Sequence, residues 1–424
     1  MCDLKTVLIS AKQPDSYELL KPFWEESLKY LTDQPLFFLE EKAIKENRAL
    51  CGLPEELDIS LLKTAARVRA DAHLRVLIWH LYCLVFRHQE YTAESIRKWP
   101  DFSGIFGSDN WHFYQLINLA SVPEIRRIHQ LYNIPEAVTA ETLSDTLVKA
   151  RFNREICGVA GSNPRNLSWR RNFIISPPLC QVGRFQYILK NFPDKIRVFK
   201  NKTTQAVIAF AEHGIQYTEE GYIFPEGLSR QENSWQSELV INDKITGHPI
   251  SPYGRAMKKK IRLESAEWEC VLNSSSPVLD IHIPVGGGMT MESVHRSMSD
   301  ALIFFDRYFP GRKVRGFRLV TWFLNTLLEQ YYRPDSNLVM FQKQVYLFPV
   351  PTGYNSGLYF IFGSENIDLK TAPRDTSIRR AMLKILEDGR PLRSEGMFFL
   401  REHIEHFGAA YYREQWEQKV KMLI

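Results

Sequence analysis

The segment Val278-Leu-Asp-Ile-His-Ile-Pro-Val-Gly-Gly-Gly-Met-Thr290 indicates the class of fold most clearly, because three structural signals follow one another within it. Its first eight residues alternate between two faces as the residues of a β-strand do, the three glycines predict a turn, and Thr290 predicts a helix N-cap. Beyond it, apolar residues recur at helical spacing: Met291, Val294, Met298, Ala301, Leu302 and Phe305. The order of strand, glycine turn and helix predicts an α/β module in this half of the chain.

Further short strands are predicted on both sides of this unit. They cover residues 183–189, 195–199, 205–210 and 267–272 before it, and 316–323, 344–350 and 358–362 after it. Residues 226–256 predict a long excursion from the sheet or a mobile loop, because turn-forming residues separate weak strand signals there. Helices are predicted near 325–332 and over 376–387.

The N-terminal part of the chain predicts helices instead of strands. From about residue 14 to 157 the apolar residues recur at helical spacing, clearly so over 61–84, 113–132 and 140–151. Turn formers at 158–164 then predict a domain boundary. We therefore predict an α+β protein with an all-helical domain (1–157), a mixed sheet flanked by helices (168–365) and a helical C-terminal extension packed on the sheet domain (366–424).

The composition is that of a globular protein, with 424 residues, 44% of them hydrophobic, and a net charge of +5. It excludes a disordered or fibrous chain, gives no argument for nucleic acid, and permits a mildly cationic site for a phosphorylated ligand. The longest apolar stretch, 76–86, is about half of the ~20 residues that a membrane-spanning helix needs. Six scattered cysteines without a CxxC motif, and no secretory signal, predict a cytoplasmic protein without a disulfide framework or metal site.

Several longer motifs point to a known family. They are Trp268-Glu-Cys-Val-Leu, Ser297-Met-Ser-Asp-Ala-Leu-Ile-Phe-Phe, Phe317-Arg-Leu-Val-Thr-Trp-Phe-Leu, Pro391-Leu-Arg-Ser-Glu-Gly-Met and Phe407-Gly-Ala-Ala-Tyr-Tyr, together with the segment quoted first. The chain resembles a bacterial family of acyltransferases with an N-acyltransferase N-terminal domain and a GNAT-like C-terminal domain. The resemblance implies an N-acyltransferase that moves an acyl group, acetyl included, from acyl-CoA directly to a small-molecule or peptide amine.

The resemblance also implies where CoA binds. GNAT-like proteins hold the CoA pyrophosphate with backbone N–H groups at the start of the helix that follows a central strand. Here that position is Val285, Gly286, Gly287, Gly288 and Thr290. A plain tight turn is the alternative interpretation, and the Q/R-x-x-G-x-G/A motif common in GNAT proteins is absent. Its absence favours a second hypothesis, a non-catalytic GNAT-like scaffold or ligand-binding protein.

Two polar residues share one face of the strand that precedes the glycines. Asp280 and His282 are two positions apart, so their side chains point to the same side of the sheet. Histidine titrates near neutral pH, and we predict that His282 is the general base and that Asp280 orients it. A structural histidine bonded to backbone or water is the alternative.

The remaining candidates follow the next strand. The resemblance implies an Asn at a helix start and, seven residues later, a Tyr that protonates the leaving thiolate; Asn325 and Tyr332 have this spacing. Trp322 is a candidate for the acceptor pocket, with core packing as the alternative. The basic run from Arg255 to Arg262 predicts a solvated loop or a contact with the CoA 3′-phosphate. A transferase that uses another activated acyl or aminoacyl donor is a third functional hypothesis.

Overall fold

The structure, a computed structural model, describes residues 3–32, 34–224 and 233–423 and divides into two units. Residues 1–182 and 283–287 belong to the first unit, and residues 183–282 and 288–424 belong to the second. No helix within the described ranges has both the length and the apolar character that a membrane crossing demands.

The first unit is built from helices, as the sequence predicts. They are α1 (Leu4–Ser10), α2 (Tyr17–Leu20), α3 (Trp24–Lys29), α4 (Glu41–Leu50), α5 (Leu57–Ala70), α6 (Ala72–Phe86), α7 (Ala93–Arg97), α8 (Ser103–Phe106), α9 (Asn110–Leu119), α10 (Val122–Leu131), α11 (Glu136–Leu143), α12 (Asp145–Cys157) and α13 (Pro164–Arg170). The apolar pattern over 61–84 is divided between α5 and α6 because the Asp71 carboxylate accepts the N–H groups of His73 and Leu74 and starts a new helix.

Helix α12 ends where the turn formers predict. Gly158 adopts φ 76° as its C-cap, a left-handed conformation that glycine reaches without strain. The helical unit nevertheless continues beyond this point through α13 and the short strand β1 (Cys180–Val182). The apolar stretch 76–86 lies in α6, whose residues from Leu77 to Val85 are all buried.

The second unit carries the remaining strands and five helices among its described residues. The strands are β2 (Phe185–Asn191), β3 (Ile196–Asn201), β4 (Val207–Ala211), β5 (Gln216–Tyr217), β6 (Trp235–Gln236), β7 (Leu239–Ile241), β8 (Lys244–Gly247), β9 (Pro249–Ser251), β10 (Arg255–Ala256), β11 (Ile261–Glu264), β12 (Trp268–Leu272), β13 (Pro277–His282), β14 (Gly316–Thr321), β15 (Tyr346–Pro349) and β16 (Glu395–Leu400). The helices are α14 (Met291–Tyr308), α15 (Asn337–Gln344), α16 (Leu358–Phe362), α17 (Ser377–Glu387) and α18 (Tyr411–Gln415).

A mixed sheet in the order β2-β13-β14-β16-β15 forms the centre of this unit. Strand β13 runs antiparallel to β2 and parallel to β14, while β16 runs antiparallel to both of its neighbours. A second sheet has the order β10-β9-β4-β3-β12, and β11-β8-β7 form a third. A parallel pair needs a crossover, and α14 supplies it between β13 and β14.

Three predictions for the second unit differ from the structure. Residues 233–256 leave the central sheet, as one alternative predicts, but they form the strands β6 to β10 of other sheets instead of a loop, while 226–232 lie outside the described residues. The prediction of a strand over 358–362 is wrong, because this apolar run forms α16 between two left-handed glycines, Gly357 (φ 92°) and Gly363 (φ 76°). The segment 366–424 is helical as predicted in α17 and α18, but it also supplies the unpredicted strand β16 to the central sheet.

Candidate functional site

Strands β13 and β14 separate before either of them ends. Their pairing covers Val278, Leu279 and Asp280, whose partners are Gly316, Phe317 and Arg318. Strand β13 nevertheless stays paired with β2 as far as His282, and β14 stays paired with β16 as far as Thr321. The ladder between the two parallel strands therefore ends before either strand does, which opens the sheet at its carboxyl edge.

The glycine turn after β13 is exposed, and Arg184 Nε donates to its Gly288 carbonyl at 3.0 Å. Gly286 and Gly287 have φ angles of 86° and 66°, a region that other residues rarely adopt. Val285 is 46% exposed, and a Cβ atom added to Gly286 or Gly288 would meet nothing within 4 Å. Across the described ranges, no protein group accepts the main-chain N–H of Gly286, Gly287 or Gly288. These donors are available to an anion.

The helix that follows has the predicted N-cap. Thr290 Oγ1 accepts the N–H of Ser293 at 3.2 Å, which starts the 18-residue helix α14. Glu292, in the first turn of α14, is the carboxylate nearest in sequence to the three glycines, and it is paired with Arg296 at 2.6 Å. The long helix directs the positive end of its dipole towards its N-terminus, and the Arg296 pair compensates the charge of Glu292.

His282 and Asp280 lie on one face of β13, as predicted, and their side chains are in contact. His282 Nε2 lies 3.4 Å from Asp280 Oδ2, and the His282 side chain is 30% exposed whereas that of Asp280 is 2% exposed. Burial raises the pKa of Asp280, but the hydrogen bond and charge of His282, with the neighbouring cations, outweigh it and hold this pKa well below its usual range. An ionised carboxylate at this distance orients the imidazole.

Asp280 is also the centre of a buried ion-pair cluster that the sequence does not predict. Its carboxylate pairs with Lys190 of β2 and, at 2.9 Å, with Arg318 of β14. Arg318 in turn binds Asp194 through two nitrogens, at 2.7 and 2.9 Å. The cluster joins β2, β13 and β14 at the last register position before β13 and β14 separate, and so it fixes the base of the opening.

The other predicted residues lie after β14. Asn325 starts a helix as predicted: its side chain caps the 3₁₀-helix Thr326–Gln330 by accepting the N–H of Leu327 at 3.1 Å, and it is buried. Trp322 and Tyr332 are half-buried and pack against an apolar cluster formed with α15, α16 and α17. Their packing agrees with the alternative that Trp322 serves the core, and burial raises the pKa of the Tyr332 phenol, which therefore keeps its proton at neutral pH.

One titratable group at this edge of the sheet is not predicted from the sequence. Glu395, the first residue of β16, pairs in register with Thr321, and its side chain is 1% exposed. Its Oε1 accepts the Thr326 hydroxyl at 2.9 Å and lies 3.4 Å from Arg255 Nη1. Burial raises the pKa of Glu395 to about 7, although Arg255 and Thr326 act in the opposite direction.

The sequence gives only a weak signal for the pairing of Glu395 with Arg255. Glu395 lies inside the motif Pro391-Leu-Arg-Ser-Glu-Gly-Met, but one carboxylate at the start of an apolar run is typical of a loop. Arg255 begins the basic run that predicted a solvated loop, yet its side chain is only 27% exposed. Lys258, Lys259 and Lys260 of that run are exposed as predicted. Within the described ranges, no cluster of three or more His, Cys, Asp or Glu side chains has the arrangement of a metal site.

Comparison with protein families identifies two matching regions. The family model described as "GNAT-like C-terminal domain" matches residues 179–398, which is 220 of the 424 residues. The model described as "N-acyltransferase N-terminal domain" matches residues 43–169. No curated protein sequence matches the chain.

Solved structures share the fold along nearly the whole chain. A crystal structure of an acyltransferase in complex with decanoyl-CoA and teicoplanin superposes with a TM-score of 0.64 at 20% identity, over 94% of this chain and 99% of that one. An acyltransferase in complex with CoA and 10C-teicoplanin gives the same TM-score and coverage at 19% identity. A third, in complex with decanoyl-CoA alone, gives a TM-score of 0.61 at 18% identity with the same coverage. At these identities the likeness establishes a common fold.

Proposed function

Because the chain belongs to the family with a GNAT-like C-terminal domain, we propose that it is an N-acyltransferase that moves an acyl group from acyl-CoA directly to an amine. One observation carries this proposal: the separation of β13 and β14 beyond Asp280 and Arg318, with uncommitted main-chain N–H groups in the turn that follows β13. The opening is suited to the pantetheine arm. The N–H groups and the N-terminus of α14 are suited to the diphosphate.

The donor we propose is an acyl-CoA longer than acetyl-CoA. Structural neighbours are described in complex with decanoyl-CoA and with octanoyl-CoA, which supports a medium-chain acyl group here. We propose no metal cofactor, because amide formation from a thioester needs only a base, an acid and donors for the developing oxyanion.

The proposed chemistry uses His282 as the base. The amine nitrogen attacks the thioester carbonyl carbon, the C–N bond forms, and the C–S bond breaks when the tetrahedral intermediate collapses. His282 takes a proton from the nitrogen, and the ionised Asp280 at 3.4 Å stabilises the resulting imidazolium. The thiolate leaves as CoA after it accepts a proton, for which the neutral phenol of Tyr332 is the candidate donor.

The acceptor we propose is an amine on a small molecule or peptide. Two neighbours are described in complex with teicoplanin or 10C-teicoplanin, which supports an acceptor of that size. We further propose a cytoplasmic location, where acyl-CoA is available and thiols stay reduced. The cysteines Cys51, Cys83, Cys157, Cys180 and Cys270 are all free, which is consistent with that location.

The test is release of CoA thiol from acetyl-, octanoyl- and decanoyl-CoA, with and without a panel of amines. We expect amine-dependent release that is faster with the longer donors, and a loss of about 10²- to 10⁴-fold in kcat for His282→Ala. His213→Ala is the matched control, because His213 is an exposed histidine of the same unit. Tight binding of decanoyl-CoA without release to any amine would instead make the protein a GNAT-like binding protein.

A further inference from the structure

Two arginines lie close to the ring of one tyrosine in the second unit. The Arg255 guanidinium carbon is 3.8 Å from the centre of the Tyr222 ring, and that of Arg393 is 3.9 Å from it. Tyr222 itself is buried, with 8% of its surface exposed. We call these three residues the arginine–tyrosine stack. Two cations so close together repel each other, and such an arrangement is stable when negative charge is nearby.

Arg255 is held in a fixed position within the stack. Its guanidinium donates to the Thr326 hydroxyl at 2.8 Å and to the Gly254 carbonyl at 2.9 Å, and it also bonds to the Tyr222 hydroxyl. It also pairs with Glu395 at 3.4 Å. Arg255 therefore has its donors engaged by protein groups, and it sets the position of the Tyr222 ring.

Arg393 has a different environment. Within the described part of the chain its guanidinium contacts two ring faces, those of Tyr222 and, at 5.5 Å, Tyr354, and it donates to no carboxylate. Arg393 is half-buried, and the pKa of Glu220 is lowered chiefly by a hydrogen bond from the Thr218 side chain and further by the charges of both arginines. Arginine presents five N–H donors in a planar fork that matches a carboxylate or phosphate. The Arg393 fork is thus oriented by aromatic packing but is not engaged by a protein anion.

The stack lies at the edge of the sheet where β13 and β14 separate. Arg393 is two residues before Glu395, and Glu395 pairs with Thr321, the last residue of β14. The stack is therefore built on the β16 side of β14, whereas β13 lies on the other side.

We propose that the arginine–tyrosine stack binds a carboxylate of the acceptor, with Arg393 as the main ligand, so that the acceptor is an amine that carries a carboxylate. This inference rests on the proposed acyltransferase function. Glu395 pairs with Arg255, and the charges of both arginines act on Glu220, whereas the Arg393 guanidinium donates to no carboxylate of the described residues and has donors left for a ligand. The position of the stack across β14 from β13 favours the acceptor over a phosphate of CoA as the source of the anion.

The test uses product analogues, so that it does not depend on turnover. Binding of N-decanoyl-glycine and of its primary amide is measured by calorimetry to the wild-type protein, to Arg393→Gln and to Arg333→Gln. Arg333 is a matched control because it is an exposed arginine of the same unit, paired on the surface with Asp335. We expect the acid to bind about ten- to a hundredfold more tightly than the amide, and Arg393→Gln to remove this difference while Arg333→Gln keeps it.

The opposite results are distinguishable. Equal affinity of acid and amide for the wild-type protein, or binding of neither, would overturn the carboxylate site. Weaker binding of decanoyl-CoA to Arg393→Gln, with acid and amide unaffected, would assign the anion to CoA and also overturn it. Failure of the proposed function has another signature, the absence of amine-dependent CoA release from the wild-type protein.

Discussion

Replacing Glu395 by glutamine should remove a pH-dependent destabilisation of the second unit. The carboxyl group is 1% exposed, and its environment supplies donors only to Oε1, from Thr326 and Arg255. Oε2 has no hydrogen-bond partner in the described structure and packs against Gly254. Glutamine has nearly the same shape and can keep the acceptor oxygen towards Thr326, but it carries no charge at any pH.

The size of this destabilisation follows from the pKa of Glu395. In the folded protein the pKa of Glu395 is about 7, against 4.5 as its ordinary value. The folded state therefore binds the proton more tightly than the unfolded state, so this group reduces stability as the pH rises from about 4.5 to about 7. Between about pH 5 and pH 8 the wild-type protein should lose on the order of 2 to 3 kcal/mol from this group, because one pKa unit corresponds to about 1.4 kcal/mol.

The assay is urea denaturation of the wild-type protein and Glu395→Gln, followed by circular dichroism and tryptophan fluorescence at both pH values. Other groups titrate equally in the two proteins, so the difference between the two pH dependences isolates Glu395. We expect the stability of Glu395→Gln relative to wild type to increase by about 2 to 3 kcal/mol from pH 5 to pH 8. A parallel pH dependence of the two proteins would refute the argument that Glu395 is protonated in this pocket.

Two further substitutions test the site. Asp280→Asn should destabilise the protein by about 3 kcal/mol in the same assay, because it leaves buried cations with less compensation; Arg318 keeps Asp194 as a partner, which limits the loss. A change of less than about 0.5 kcal/mol would contradict the ion-pair cluster. Tyr332→Phe should lower kcat about a hundredfold without changing binding of acyl-CoA, while Tyr331→Phe should not. Equal turnover of the two variants would remove Tyr332 as the acid.

The βα unit from β13 to α14 was predictable because its signals are local. Strand alternation over 278–285, the glycines and the Thr290 cap act within a few residues, and the structure contains each of them close to the predicted position. The placement of His282 and Asp280 on one face of β13 follows from the two-residue period of a strand in the same way. Such features depend on backbone geometry alone.

Features that depend on distant pairing were not predictable in this way. Strand β16 lies between β14 and β15, so only the completed sheet stabilises it, and the contact between Arg255 and Glu395 joins positions 140 residues apart. The apolar run Leu358–Phe362 has no clear period, because five residues fit one helical turn as well as a short strand. Lys190 and Arg318 likewise become partners of Asp280 only through the strand order.

The proposed CoA site is tested by measuring which part of CoA the protein binds. Calorimetry would compare decanoyl-CoA, decanoyl-dephospho-CoA and S-decanoyl-pantetheine, of which only the last lacks the diphosphate. If the N–H groups of Gly286 to Gly288 and the start of α14 hold the diphosphate, the first two ligands should bind with similar affinity and the third about a hundredfold more weakly. Equal affinity for the pantetheine thioester, or no binding of any of the three, would contradict the central claim.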